Sequence, residues 1–204
     1  MEIEAKYAVI GPIDPDQINS LDLEPYHLRP DEDKVHRDEA FDTPRRTISR
    51  SGHGLRIRRV DGKAILTLKG AGQYADGIHE REEVEIELDN SQHAPAQWPS
   101  PIAERVQALI GDEQVQPLFS IEVRRRTWAV ERDGQVIGEL AYDEGTITAN
   151  GRTEAILEIE VEIKGNGARA DIERIGKKLL EVLPLRPEAR TKRQRGMMLL
   201  DSGA

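Results

Sequence analysis

Glu2-Ile3-Glu4-Ala5-Lys6 opens the chain, and Glu158-Ile159-Glu160-Val161-Glu162 repeats its pattern near the other end. A β-strand sends successive side chains to opposite faces. Read as strands, both stretches carry charge on one face and Ile, Ala or Val on the other. The alternation recurs between them. Arg56 and Arg58 stand two apart in L-R-I-R, Lys69 ends L-T-L-K, and Arg81, Glu83, Glu85 and Glu87 alternate in R-E-E-V-E-I-E-L. One charged strand face is ordinary, because antiparallel sheets often face water on one side. Many of them, of both signs, predict a sheet curled round a charged interior. Like charges on neighbouring strands repel by roughly 0.2–1 kcal/mol per pair, so such an interior calls for compensating ions or a ligand.

Working outward, strands are predicted at 2–10, 55–60, 63–69, 78–88, 118–131, 135–142, 145–149 and 155–163. Asp61-Gly62, Asp133-Gly134 and Asn150-Gly151 are turn dipeptides that join neighbours as hairpins. Helices are expected at 14–23, with Asp14 as cap and Pro15 in the first turn, at 102–110, ended by Gly111, and at 188–200. The strongest helical period is at 169–183, where Ile172, Ile175, Leu179, Val182 and Leu183 share a face and Pro184 follows. Residues 24–40 read as charged and irregular, Phe41-Asp42-Thr43-Pro44 as a strand end turning into a loop, and 90–101 as a Pro- and Ser-rich connection. No repeat or composition break divides the chain, so 1–204 is expected to be one domain, with 201–204 a tail or the start of a linker.

Composition narrows the function. The 204 residues include no cysteine, which excludes disulfides, thiolate metal sites and cysteine nucleophiles. A net charge of -9 argues against a general nucleic-acid binder but leaves room for a small phosphate ligand held by local charge. No apolar stretch approaches the ~20 residues of a membrane span, and the acidic start is unlike a signal peptide. A soluble, cytoplasmic protein with no membrane or nucleic-acid partner is expected.

Glu2, Glu4, Glu158 and Glu160, with Glu162 and Asp143, offer the hard oxygen ligands that Mg2+ and Mn2+ prefer, with water and phosphate completing the shell. Arg56, Arg58, Lys69, Arg81 and Arg125 share strand faces, and Lys192 lies on the terminal segment. Guanidinium forks grip phosphate oxygens in pairs, and lysine acts as a point charge. In Arg124-Arg125-Arg126, alternation sends Arg125 opposite to its neighbours. Other signals are set aside. Gly165-Asn166-Gly167-Ala168-Arg169-Ala170 has the form G-x-G-x-x-A, but the strand before it carries Glu158, Glu160 and Glu162 rather than the apolar run of a dinucleotide fold. His27, His36, His53, His79 and His93 show no zinc-ligand spacing and read as loop or surface residues. Trp98 and Trp128 read as packing residues.

Taken in order, these residues resemble the CYTH family, the triphosphate tunnel metalloenzymes. The E-x-E-x-K opening at Glu2, Glu4 and Lys6 matches its hallmark. F-D-T at Phe41–Thr43, L-R-I-R at Leu55–Arg58, L-T-L-K at Leu66–Lys69 and H-x-R-x-E at His79–Glu83 follow. R-R-x-W at Arg125–Trp128, Asp143, E-I-E-V-E at Glu158–Glu162 and T-K at Thr191-Lys192 complete the series. The stretch Val115–Ser120, with Trp128, looks most similar to bacterial inorganic triphosphatases, several of which carry a helical CHAD domain that these residues do not include.

The resemblance implies an α+β fold, an eight-stranded antiparallel β-barrel forming a tunnel, with peripheral helices. It implies Mg2+ or Mn2+ held by Glu2, Glu4, Glu158 and Glu160, and a triphosphate gripped by Arg56, Arg58, Lys69, Arg81, Arg125 and Lys192. Lys6, Glu83, Asp143 and Glu162 are implied as catalytic residues that orient these groups or order water. Val123 stands where many members place a lysine or arginine, which implies one phosphate contact fewer. The implied activity is hydrolysis of inorganic triphosphate to pyrophosphate and phosphate. Thiamine triphosphatase, class IV adenylyl cyclase and a non-catalytic polyphosphate-binding module stay open as alternatives.

Overall fold

Alternation shapes the whole molecule: the strands run antiparallel in one sheet, charged on the inside of its curl and apolar on most of the outside. The computed structural model describes residues 1–89 and 94–202. In chain order the strands are β1 (Glu2–Val9), β2 (His27–Asp42), β3 (Gly54–Val60), β4 (Lys63–Lys69), β5 (Gln73–Ala75), β6 (Ile78–Arg81), β7 (Glu83–Leu88), β8 (Gln116–Arg132), β9 (Gln135–Ala149), β10 (Arg152–Ile163) and β11 (Leu185–Pro187). The helices are α1 (Thr47–Arg50), α2 (Ile102–Ile110), α3 (Arg169–Val182) and α4 (Lys192–Asp201).

The sheet order is β5-β6-β1-β10-β9-β8-β2-β3-β4-β7, with β11 beside β1. Only Glu82 separates β6 from β7, yet β6 pairs with β1 and β7 with β4. One interrupted strand therefore ties the two margins of the sheet, which is why the predicted strand 78–88 is broken in two. Counted as one stave, it joins β1, β10, β9, β8, β2, β3 and β4 to make the expected eight.

Four features depart from the sequence reading. Residues 24–40 are not irregular: most of them form β2, paired to both β8 and β3. Both faces of this strand are charged, His36 and Asp38 inward and Arg37 outward against Glu122 (2.7 Å), so no apolar period betrays it. The segments 135–142 and 145–149 are one strand, β9. Gly145 is there for close approach to the β8 main chain at Val123, not for a turn. Residues 14–23 hold only a 3-10 turn at Pro15–Ser20, with Asp14 accepting from the Asp16 amide (3.0 Å). The final helix starts later than expected, at a reciprocal cap: Thr191 Oγ1 accepts from Gln194 N (3.1 Å) and Gln194 Oε1 from Thr191 N (2.8 Å).

Apolar side chains pack outside the tunnel in two clusters. Ala5, Tyr7, Ile159 and Val161 meet Ile172, Ile175 and Leu179 of α3. Val182, expected on that face, is 53% exposed, whereas Leu183 is buried. Leu55, Ile57, Leu66 and Leu68 meet Ile102, Val106 and Ile110 of α2. Full burial of each such side chain contributes about 1.5–3 kcal/mol. Both tryptophans pack as expected: Trp98 stands edge-on to Phe41 at 5.6 Å, and Trp128 donates to Asn19 Oδ1 (2.7 Å). A third cluster is different. Phe119, Ile121 and Val123 point inward at the end where Met197, Leu199 and Leu200 of α4 pack. Of the sequence features set out above, His93 and the last two tail residues lie outside the described residues.

Candidate functional site: the charged tunnel

The curl encloses a cavity of about 320 Å³. Its wall holds as many acidic as basic side chains, although the chain as a whole is acidic. Most of them fall into three ion-pair groups, each joining neighbouring strands.

The first joins β1, β4, β6 and β7. Glu2 accepts from Lys69 Nζ (2.6 Å) and Arg81 Nε (2.5 Å), Arg81 also donates to Glu4 (3.0 Å), and Glu83 lies 3.1 Å from Lys69. Burial alone would raise the Glu2 carboxyl, but Lys69 and Arg81 outweigh it and bring it down to about 2. The second joins β2 and β3. Asp38 accepts from Arg56 Nη1 (3.0 Å) and, in a fork, from Arg58 Nε and Nη2 (both 2.8 Å). Burial opposes its ionisation, and the two guanidiniums hold it well below the carboxylate range regardless.

The third group is the deepest. Asp143 on β9 and Glu158 and Glu160 on β10 bring ligand oxygens within 4.8 Å of one another, with Asp143 and Glu158 wholly buried. Lys192 Nζ, at the start of α4, lies 2.7 Å from Asp143, 2.8 Å from Glu158 and 2.7 Å from Glu160. Arg125 forks onto Asp143 (2.7 and 2.6 Å) and also pairs with Glu160. Lys6 pairs with Glu160, and Arg195 with Glu158 and with Glu154 (2.7 Å). Burial works against every charge here. The Asp143 carboxyl nevertheless falls to about 2, held by Arg125 and Lys192, and Glu160 is held well below its ordinary value by Lys192, Lys6 and Arg125. The Lys192 ammonium is in turn held well above its own by the three carboxylates.

Of the predicted residues, Glu2, Glu4, Lys6, Arg56, Arg58, Lys69, Arg81, Glu83, Arg125, Asp143, Glu160, Glu162 and Lys192 line this one cavity. Glu158 lies just behind the wall. The predicted metal carboxylates stand in two places. Glu158 and Glu160 gather with Asp143, whereas Glu2 and Glu4 are engaged by Lys69 and Arg81. Glu162 faces the far end beside Lys164 (2.8 Å), its carboxyl raised by burial. Val123 adds an apolar side chain to the wall.

The sequence reading missed several wall residues. Asp38 and His36 were hidden in a strand with no apolar period, and Arg193 on a helix whose start was misplaced. Glu85 was visible in its alternation but given no role. It accepts from Thr67 Oγ1 (2.9 Å) and faces Arg56 at 3.6 Å. Two histidines are not loop or surface residues: His36 is 9% exposed and His79 is 7% exposed. Burial, with Arg58 and Arg125 beside it, pushes the His36 imidazole down to about 4, so it is neutral at pH 7. Its Nδ1 is buried with no hydrogen-bond partner among the described residues.

The donor set fits a hard divalent cation: three buried carboxylates, all oxygen. Glu158 Oε2 lies close to Lys192 Nζ but off hydrogen-bonding geometry, so a buried oxygen is left with a lone pair to offer. The opposing arginines fit phosphate. Cations and carboxylates hold one another, so a ligand that brings both signs, an anion with its metal, could exchange partners with both sets.

No helix among the described residues is long and apolar enough to cross a membrane. A family model of the CYTH domain matches residues 1–197. An inorganic triphosphatase of Haemophilus influenzae is 32% identical over 134 residues, 63% of this chain and 36% of that protein. The matched region thus spans about a third of that relative's length. Among solved structures, HpAC1 of Hippeastrum, described as an adenylyl cyclase candidate with a dominant triphosphatase activity, superposes with a TM-score of 0.73 at 24% identity, covering 100% of this chain and 96% of that one. An adenylate cyclase candidate of Bacillus halodurans has a TM-score of 0.65 at 20% identity, over 96% of each chain. These two share the fold.

Proposed function

Because the chain belongs to the CYTH domain family, we propose that it is a triphosphatase that hydrolyses inorganic triphosphate to pyrophosphate and phosphate with the help of Mg2+ or Mn2+. The observation that carries this reading is the pairing of Asp143, Glu158 and Glu160 with Arg125 and Lys192 at the wall of one cavity, opposite Arg56 and Arg58. Phosphoanhydride hydrolysis needs little covalent help from a protein. It needs positioning and charge neutralisation.

In this reading Arg56, Arg58, Lys69, Arg81, Arg125 and Lys192 turn from their carboxylates to the phosphate oxygens. That frees Asp143, Glu158 and Glu160, with Glu2 and Glu4, to hold the metal. A bound divalent ion would neutralise phosphate charge and polarise the attacking water. Lys6 keeps Glu160 in place, Glu83 steers Lys69 and Arg56, and Asp143 sets the Arg125 fork until the phosphate takes it over. Glu162, whose carboxyl is raised by burial, would order water. Inorganic triphosphate is favoured over nucleoside or thiamine esters by the wall itself: among the described residues, Phe119 is its one phenyl, phenol or indole side chain. Aromatic rings are what stack on such organic groups.

The test is phosphate release from tripolyphosphate, ATP and thiamine triphosphate, side by side, with Mg2+, Mn2+ or EDTA. Tripolyphosphate with metal should be fastest. Glu160→Gln and Arg58→Ala should each cut its turnover by orders of magnitude in folded protein. Near wild-type turnover in both variants, or tight binding without turnover in the wild type, would refute the assignment. The second result would mark a polyphosphate-binding module.

A further inference from the structure

Arg193 is the tunnel-wall lysine or arginine that makes no ion pair with the described residues. Each of the others has at least one ion pair: Lys6, Lys34, Arg56, Arg58, Lys69, Arg81, Arg125, Lys164 and Lys192. Arg193 has one polar contact among the described residues, Nη1 donating to Ser49 Oγ at 2.9 Å. The acid nearby, Asp42, is already engaged. It accepts from the amides of Thr43 (2.7 Å), Ile48 (2.9 Å) and Ser49 (2.9 Å) and from the Ser49 hydroxyl, and so caps α1.

Packing holds the guanidinium stem where it is. A Cβ on Gly54 would lie 2.9 Å from both Cδ and Nε of Arg193, so the bare glycine backbone makes room for it. Burial lowers the proton affinity of the guanidinium, Asp42 offsets part of that from a distance, and Arg81 lowers it again. The fold thus keeps a half-buried cation near Arg81, with Asp42 engaged elsewhere and no ion pair of its own among the described residues, which is unfavourable unless something discharges it. Arg193 also stands where the tunnel meets a neighbouring hollow lined by Gly72, Tyr74, His79 and Met197.

We propose that Arg193 is a substrate-binding residue, holding the end of the polyphosphate chain that emerges beside α4. This rests on the triphosphatase reading above. Guanidinium hydrogen bonds to phosphate are among the strong ones. Arg193→Gln should therefore raise KM for tripolyphosphate about tenfold, with a smaller fall in kcat. Arg193→Lys should recover part of the loss, because the charge is kept. Ser49→Ala removes the tether but not the cation, and should move KM less than Arg193→Gln does. An unchanged KM in Arg193→Gln would overturn the inference. So would equal losses in Arg193→Gln and Ser49→Ala, with kcat and thermal midpoint falling together, because that is the signature of a purely structural contact. Failure of the wild type to bind or hydrolyse tripolyphosphate is a separate result, which would overturn the triphosphatase reading and the inference with it.

Discussion

Replacing Lys192 by methionine keeps the stem of the side chain and deletes the ammonium that three buried carboxylates share. Removing one partner of a buried ion pair costs about 3–5 kcal/mol, because the other charge is left uncompensated. Here Arg125, Lys6 and Arg195 still face the cluster, which places the loss at about 3 kcal/mol rather than 5. In a chain of this size that lowers the thermal midpoint by about 6–12 °C. The loss depends on pH with a definite sign. In the wild type, Glu160 is held below its ordinary 4.5, so its contribution is present above 4.5 and fades as pH falls. In Lys192→Met the carboxylates titrate higher and can take up protons. The gap between the two proteins should be widest near pH 7 and shrink below about pH 4.5. A divalent ion should also narrow it: at a hundred times its Kd, a ligand of the folded state adds about 2.7 kcal/mol. Urea unfolding of both proteins at pH 7 and pH 4, with EDTA or with Mg2+, reads all of this. A difference under 1 kcal/mol, or one that neither acid nor Mg2+ alters, would refute the claim that Lys192 neutralises three carboxylates able to hold a metal.

Asp38→Asn leaves Arg56 and Arg58 facing each other without their shared acid, and should cost about 3–5 kcal/mol. Added tripolyphosphate should restore part of it in urea melts, and a variant as stable as wild type would contradict the pairing. The His36 imidazole lies at about 4 in the fold against 6.5 for the free group. The unfolded chain takes up that proton first, so this group's contribution, about 3 kcal/mol, is full above pH 6.5 and lost as pH falls to 4. His36→Gln should flatten that window, and an NMR titration placing His36 near 6.5 would be the contrary result. Gly176 lies under the Tyr7 hydroxyl, where a Cβ would overlap it. Gly176→Ala should therefore destabilise by about 1–2 kcal/mol, overpacking outweighing the better helix propensity, and a gain in thermal midpoint would show that α3 does not press on β1 there.

What the sequence revealed depended on period. Where a strand alternates charge with Ile, Leu or Val, as at Glu2–Lys6, Leu55–Arg58 and Glu158–Glu162, the residues and their inward direction are both legible, and the cavity gathers them. Where both faces carry charge, as in β2, alternation gives no contrast. Asp38 and His36 were missed for that reason, although Asp38 orders two of the predicted arginines. Pairing across the barrel is a further step that spacing does not encode. Glu2, Glu4, Glu158 and Glu160 look equivalent along the chain. Distance separates them, because β1 is paired to Arg81 through β6 whereas β10 is paired to Asp143 through β9. The break at Glu82 is equally invisible from period, since both halves alternate and only their partners differ.

The closure of the wall has a consequence for synthesis. Lys6 meets Glu160 across 154 residues of chain. At about 5–20 residues per second, β1 leaves the ribosome some 8–30 s before the strand that will cover it. During that wait Glu2, Glu4 and Lys6 lie on an open hydrogen-bonding ribbon, and charge on such a ribbon discourages pairing with a stranger. The same three side chains that furnish the finished cavity thus guard the nascent polypeptide while it is still incomplete.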